Sequence, residues 1–318
     1  MRVPLVDLAA QEATVAAQAL GAIAALACDA TFVLGERVAA FERWLAGACG
    51  AAHAVGVASG TDAIELTLRA LGVRAGDAVV TPAFSFVAAA EAIASTGARP
   101  VFCDVDEATL NATPREVADA VERARGLGLR VRGLVPVHLF GLCAPMAELS
   151  ALARSEGAAL VEDAAQAFGA AGEGGQPPGA RADAACFSFF PTKNLGAWGD
   201  GGAVVTSNSG LAERLRRLRA HGATLPYVHA EPGRNSRLDA LQASVLLAKT
   251  SHVPRWQAAR TRLARRYLDE LRAFPLLLPH APPLPQVHAW HAFVVRTERR
   301  DDLARWMRQN GVETRVYY

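Results

Sequence analysis

The chain is nearly without lysine: Lys193 and Lys249 are its only two, against 31 arginines among 33 basic residues. Arginine supplies the positive charge almost everywhere, so each retained lysine invites a chemical reason. Net charge is also scarce, at +2. This removes the electrostatic footprint of a nucleic-acid binder or of a protein held on an anionic membrane. The five cysteines, Cys28, Cys49, Cys103, Cys143 and Cys186, are scattered, odd in number and without CxxC spacing. Small buried thiols in a reducing compartment are expected, with no disulfide framework and no metal site. No apolar run approaches a membrane span. The first residues, Met1 to Asp7, lack the layout of a signal peptide. The expectation is a cytoplasmic protein.

Composition is otherwise that of a soluble globular enzyme, with 51% hydrophobic and 20% charged residues. A length of 318 residues is long for one core and predicts a large domain with a smaller one behind it. Ala-rich periodicity predicts helices over 12–27 and 36–48. Short apolar runs then alternate with helical stretches. Strands are expected at His53–Val57, Ala78–Thr81, Pro100–Asp104, Val131–His138, Ala158–Asp163, Ala184–Phe189 and Ala203–Thr206. Helices are expected at Asp62–Leu71, Val87–Ser95, Pro114–Arg125 and Pro145–Glu156. This alternation predicts an α/β fold, a mainly parallel seven-stranded sheet with flanking helices. A long helical region from about Leu238 to Phe274, broken near Pro254, leads through a proline-rich linker to a strand (Trp290–Thr297), a helix (Asp301–Asn310) and a further strand (Val312–Tyr317). The division is therefore 1–235, an N-terminal arm and large domain, and 236–318, a connecting helix and a small α/β domain.

In such sheets ligands sit beyond the carboxyl ends of the strands. After the first strand comes Ser59-Gly60-Thr61-Asp62, opening a helix. This is either a phosphate-binding helix N-terminus or an ordinary serine cap. Glu162-Asp163-Ala164-Ala165-Gln166 ends the fifth strand. An acid there is costly without a partner, and a pyridinium N–H is such a partner; the alternative is again a helix cap. Pro82 to Phe86 ends the second strand, where an aromatic side chain either stacks on a flat ring or packs into the core. Lys193 lies in Ser188-Phe189-Phe190-Pro191-Thr192-Lys193-Asn194, ahead of Gly199-Asp200-Gly201-Gly202. An amine condenses with an aldehyde and a guanidinium does not, so Lys193 is either a Schiff-base lysine for pyridoxal phosphate or a surface lysine that escaped the arginine bias. The histidines, among them His138, His221, His229 and His291, read as structural or peripheral.

Taken together, the Ser59 block, the Glu162 block, Ser188 to Asn194 and Asn235-Ser236-Arg237-Leu238-Asp239 resemble the DegT/StrS-type family of sugar-nucleotide aminotransferases, which share the aspartate-aminotransferase fold (fold type I). The resemblance runs from Pro4 to Tyr318. It implies that Lys193 forms the Schiff base and that Asp163 pairs with the pyridine nitrogen. It implies that Gln166 lies beside the ring and that Phe86 stacks on its face. Ser59, Gly60, Thr61 and Ser188 would surround the phosphate, and Asn235 would complete that site in the neighbouring subunit of a homodimer. It also implies glutamate as the probable amino donor and a nucleotide-linked keto sugar as acceptor, in polysaccharide or antibiotic amino-sugar biosynthesis. Lys193 argues against the dehydratase relatives, which carry histidine there. Gly199-Asp200-Gly201-Gly202 looks more like members that aminate carbon 3 than carbon 4. Two departures stand out. Relatives usually continue beyond Tyr318, which predicts an incomplete small domain. Leu142-Cys143-Ala144-Pro145-Met146 lacks the polar residue and Asp often found there. A non-catalytic regulatory homologue, and an aminotransferase or lyase of this fold with a non-sugar substrate, are the competing readings.

Overall fold

A computed structural model describes residues 2–318. Three helices come first: α1 (Leu8–Glu12), α2 (Ala16–Asp29) and α3 (Gly35–Ala48). The alternating part follows as β1 (His53–Val57), α4 (Gly60–Ala70), β2 (Asp77–Pro82), α5 (Ala88–Ser95), β3 (Arg99–Cys103), α6 (Pro114–Gly126), β4 (Arg130–Leu134), α7 (Met146–Glu156), β5 (Ala159–Asp163), β6 (Ala184–Ser188), β7 (Gly202–Thr206) and α8 (Ser209–Leu218). A short hairpin, β8 (Ala223–Leu225) and β9 (Val228–His229), precedes α9 (Ala240–Lys249), α10 (Val253–Leu271) and α11 (Arg300–Gln309).

The first seven strands form one sheet in the order β1-β7-β6-β5-β4-β2-β3. Only β7 runs against its neighbours, antiparallel to both β1 and β6. The carboxyl ends of β1, β2, β4, β5 and β6 therefore share one edge, and the start of β7 joins them there. The inner strands are apolar throughout because helices cover both faces. Ala203 and Val205 of β7 face one cluster with Phe41, Leu45, Phe187, Leu238 and Leu246, from α3, β6 and α9. Val204 faces the other, with Ile64, Leu66, Ile93 and Leu215 from α4, α5 and α8. Local chemistry sets the helix starts: Thr113 and Glu116 form a capping box at α6, with Pro114 at its first position.

The sheet and its helices follow the sequence pattern closely, with β1 residue for residue. The differences have physical causes. The helix expected over 12–27 begins only at Ala16, and a further short helix, α1, precedes it, the chain turning at Ala13–Val15, where the Thr14 hydroxyl donates to the Gln11 carbonyl. The strand expected at Trp290–Thr297 does not form. Trp290 takes a left-handed φ of 48° and stacks between His288 and Phe293, which breaks extension. The segment makes one antiparallel bridge, Leu277 to Arg296. Val312–Tyr317 forms no strand either; Val312 makes a single parallel bridge with Val3. A strand without a ladder partner leaves its backbone groups to water. Among the described residues no helix is long and apolar enough to cross a membrane.

Candidate active site

Register alone assembles the shared edge. Val57 at the end of β1 pairs with Gly202, and Gly202 pairs with Ser188 at the end of β6. The turn after β1 lies flat on this junction, and glycine permits it. A Cβ on Gly202 would sit 2.3 Å from the Ser59 carbonyl oxygen, and one on Gly60 would sit 2.8 Å from the Ser188 Cβ. The Ser59 hydroxyl accepts the Asp62 N–H at 3.1 Å, so Ser59 is indeed the cap of α4. The cap leaves the Gly60 and Thr61 N–H groups without an acceptor among the described residues. The Ser59 and Ser188 side chains lie beside this helix start, an arrangement that can hold a phosphate. Ser236, fully buried, braces the turn: its hydroxyl donates to Asp62 at 2.6 Å and accepts the Ala58 N–H at 3.2 Å.

One strand over, β5 ends in two buried acids of different kinds. Glu162 takes both of its partners on one oxygen, and its Oε1 accepts nothing among the described residues. Its Oε2 accepts from the Gly179 N–H at 3.0 Å and lies 2.8 Å from the His138 Nε2. The Ala144 N–H donates to the His138 Nδ1 at 3.1 Å, which fixes the ring as the Nε2–H tautomer. His138 is thus held at both ring nitrogens. Asp163 accepts one protein hydrogen bond, from the Ala165 N–H to Oδ1 at 3.0 Å. Its other oxygen accepts nothing among the described residues. Burial pushes the Asp163 carboxyl above its ordinary value, opposed by the Ala165 N–H and by the charges of Lys193 and His138. Burial likewise pushes Lys193 below the usual lysine value, opposed by Asp163. The pair has the character a reactive amine needs: partly desolvated, and beside a carboxyl.

The remaining candidates divide. Gln166 is in the site: the Phe140 N–H donates to its Oε1 at 2.6 Å, and its Nε2 donates to the Tyr318 hydroxyl at 2.9 Å. Phe86 is 60% exposed and stacks on no other aromatic ring among the described residues. Asn235 is exposed, and its backbone bridges Ala220. Nothing draws its side chain into the site of its own chain.

Two further residues enter here: Tyr318, and His291, which the sequence leads one to expect as structural or peripheral. Tyr318 stacks on Phe140 and meets Phe84 edge-on, with ring centroids 6.0 Å apart in each case. His291 places its Nδ1 3.3 Å from the Asn194 Oδ1, next along from Lys193. Burial, helped by the charges of Lys193 and Arg260, pushes His291 down to about 3. No local signal marks either residue, since both come from distant segments. Burial also pushes His288 down to about 3. Both histidines stay neutral in the fold and take a proton on unfolding near 6.5, so stability falls as pH drops from about 6.5 toward 3. Each pH unit removes up to about 1.4 kcal/mol per histidine. Asp163, raised, works in the opposite sense above its ordinary value. Denaturant unfolding at pH 7 and pH 5 is expected to give a clearly lower stability at pH 5. The pH dependence should be shallower in His288→Asn; a flat profile for the wild-type chain would contradict this.

An α/β sheet with a phosphate-type cradle, a half-desolvated lysine and a buried acid with one free oxygen defines a pyridoxal-phosphate enzyme of the aminotransferase fold. The residues present fit that cofactor in charge, in donors and in the closeness of the Gly60–Ser188 approach. The model of the DegT/DnrJ/EryC1/StrS aminotransferase family matches residues 14–318. The chain belongs to that family and is an aminotransferase dependent on pyridoxal phosphate. It is 42% identical, over 99% of its length and 84% of the relative's, to UDP-N-acetyl-3-dehydro-alpha-D-glucosamine 3-aminotransferase of Acidithiobacillus ferrooxidans. It is 43% identical, over 100% of its length and 82% of the relative's, to dTDP-3-amino-3,4,6-trideoxy-alpha-D-glucose transaminase of Streptomyces venezuelae. Among solved structures, S. venezuelae DesV in complex with a ketimine intermediate superposes with a TM-score of 0.95 at 42% identity, covering 100% of this chain and 84% of that one.

Proposed function

We propose that this enzyme moves an amino group from an amino acid, glutamate in the first instance, to carbon 3 of a nucleotide-linked 3-keto sugar. The observation that carries the reading is the desolvated Lys193 beside the buried Asp163; the names of both relatives above support the sugar and the carbon. The Gly199-Asp200-Gly201-Gly202 turn supports the same carbon.

Bound pyridoxal phosphate supplies the electron sink for charge released at the donor's α-carbon. The protein does the rest. Lys193 holds the cofactor covalently at rest. With the cofactor bound, the freed Lys193 Nζ, whose proton affinity burial lowers, would carry the proton taken from the donor α-carbon. Asp163 would accept the pyridinium N–H, and a positive partner there would favour its ionised form despite burial. Ser59, Gly60, Thr61 and Ser188 hold the phosphate. Phe86 covers one ring face, and Gln166, steadied by Tyr318, lies at the ring edge. Asn235 reaches the corresponding site of a second copy, so the working unit is a homodimer in the cytoplasm. Residues 1–235 form the large domain and 236–318 the connecting helix and small domain, with α9 joining them. A purely regulatory protein has no use for a buried amine and acid at this edge.

The test combines the enzyme, pyridoxal phosphate and 15N-glutamate with UDP- or dTDP-linked 3-keto hexose. A 15N-amino sugar by mass spectrometry is the expected product. Bleaching of the cofactor absorbance by glutamate with no transfer to either sugar would move the acceptor outside this class. No response to any amino acid would favour the regulatory reading.

A further inference from the structure

Lys249, the second lysine, is more deeply buried than Lys193. It is 1% exposed at the end of α9. Its Nζ donates to the Gly196 carbonyl at 2.7 Å and pairs with the Glu12 carboxylate. The other Glu12 oxygen accepts the Trp198 indole N–H. The Trp198 backbone is clamped in turn by Gln242, which accepts its N–H at 2.8 Å and donates to its carbonyl at 3.3 Å.

These contacts converge on the turn that carries Lys193. The turn is closed by the Lys193 N–H on the Phe190 carbonyl and the Ala197 N–H on the Phe189 carbonyl, both at 2.8 Å. Gly196 presses so close to Pro191 that a Cβ would lie 2.3 Å from the Pro191 carbonyl oxygen. Asn194, beside Lys193, is tied by its Nδ2 to the Ala289 carbonyl at 2.7 Å. The turn is thus gripped on one side by Asn194 and on the other by Lys249.

A buried ion pair rarely stabilises a fold more than apolar residues of the same volume, and methionine has an unbranched stem of similar length. What methionine lacks is donors aimed at one carbonyl and one carboxylate, which an ammonium on an unbranched stem supplies without the planar fork of arginine. This accounts for a lysine in a chain that otherwise uses arginine. We infer that Lys249 is a positioning residue: by holding the Gly196 carbonyl, with Glu12 as counter-ion, it fixes the turn that presents the Lys193 amine. The inference rests on the reading of Lys193 as the cofactor lysine. It also links α1, which buries no residue of its own, to the reactive turn.

Two lysines in the whole chain make the test direct. Competitive trace acylation of the protein freed of pyridoxal phosphate, across pH and read by peptide mass spectrometry, gives the titration midpoint of the Lys193 amine without any turnover. The titratable groups facing Lys193 are Asp163 and His291. In Lys249→Met the turn relaxes and Lys193 gains water. Its midpoint is expected to rise by about one unit, a roughly tenfold loss of free amine near neutrality. The kcat should fall by a similar factor, with KM for the donor unchanged. Glu12→Gln, on a helix that buries nothing, gives a smaller shift in the same direction and decides the matter if Lys249→Met does not fold. A folded variant with the wild-type midpoint and kcat overturns the proposal, as does a wild-type midpoint equal to that of a free lysine. The underlying reading fails separately: a Lys193→Met chain that still captures pyridoxal phosphate covalently would remove Lys193 from its role, whatever Lys249 does.

Discussion

A chain carrying Lys193→Ala transfers almost no amino group from glutamate, with turnover down by roughly 10⁴-fold or more, the scale of losing the covalent attachment and the proton carrier together. The loss is chemical, not structural. Lys193 lies in a turn closed by backbone hydrogen bonds, through its own N–H to Phe190 and through Ala197 to Phe189, and alanine keeps both. The fold therefore survives, and the phosphate cradle at Ser59, Gly60, Thr61 and Ser188 still binds cofactor more weakly. Lys193→Arg is expected to be equally inactive, although it keeps the charge, because a guanidinium does not give up its proton in this pH range. Steady-state assay with glutamate, together with the absorbance of the cofactor, checks both variants. Near wild-type transfer in Lys193→Ala would end the assignment.

Asp163→Asn lowers turnover by about 10² to 10³-fold, the range seen when one group aimed at developing charge is lost. Asparagine has nearly the same shape, and its side-chain oxygen can still accept the Ala165 N–H that now reaches Oδ1. What disappears is the negative charge on the free oxygen that would keep the ring nitrogen protonated. A second effect distinguishes this variant from a misfolded one. The Asp163 charge opposes the burial that depresses Lys193, so its removal moves the Lys193 midpoint further down, opposite to the shift expected in Lys249→Met. Trace acylation reads both. A midpoint that rises in Asp163→Asn would mean that the carboxyl does not face the amine.

Much of this site could be read along the chain because its parts are local. The short apolar run His53–Val57 and the serine and glycine after it specify a buried strand and a capped helix within a few residues. Scarcity marked Lys193, since a composition that replaces lysine almost everywhere leaves the exceptions visible. The blocks around Ser59, Asp163, Lys193 and Asn235, in that order, carried the family. The same locality explains the errors. Trp290–Thr297 has the apolar look of a strand, but a strand needs a neighbour, and Trp290 turns left-handed to stack on His288 instead.

By itself, then, the sequence determined the alternating α/β order, the chemistry of one lysine and one aspartate, and the family. Tertiary structure alone decided that β7 runs against the sheet, which brings Gly202 between the ends of β1 and β6. It alone lowered Lys193 and raised Asp163, because desolvation depends on everything packed around a group and on nothing in its own segment. It also decided that the other lysine lies buried against the reactive turn, held by a glutamate from the opposite end of the chain. Contacts between segments far apart in sequence leave no periodicity to read, and only folding brings their charges within reach of one another.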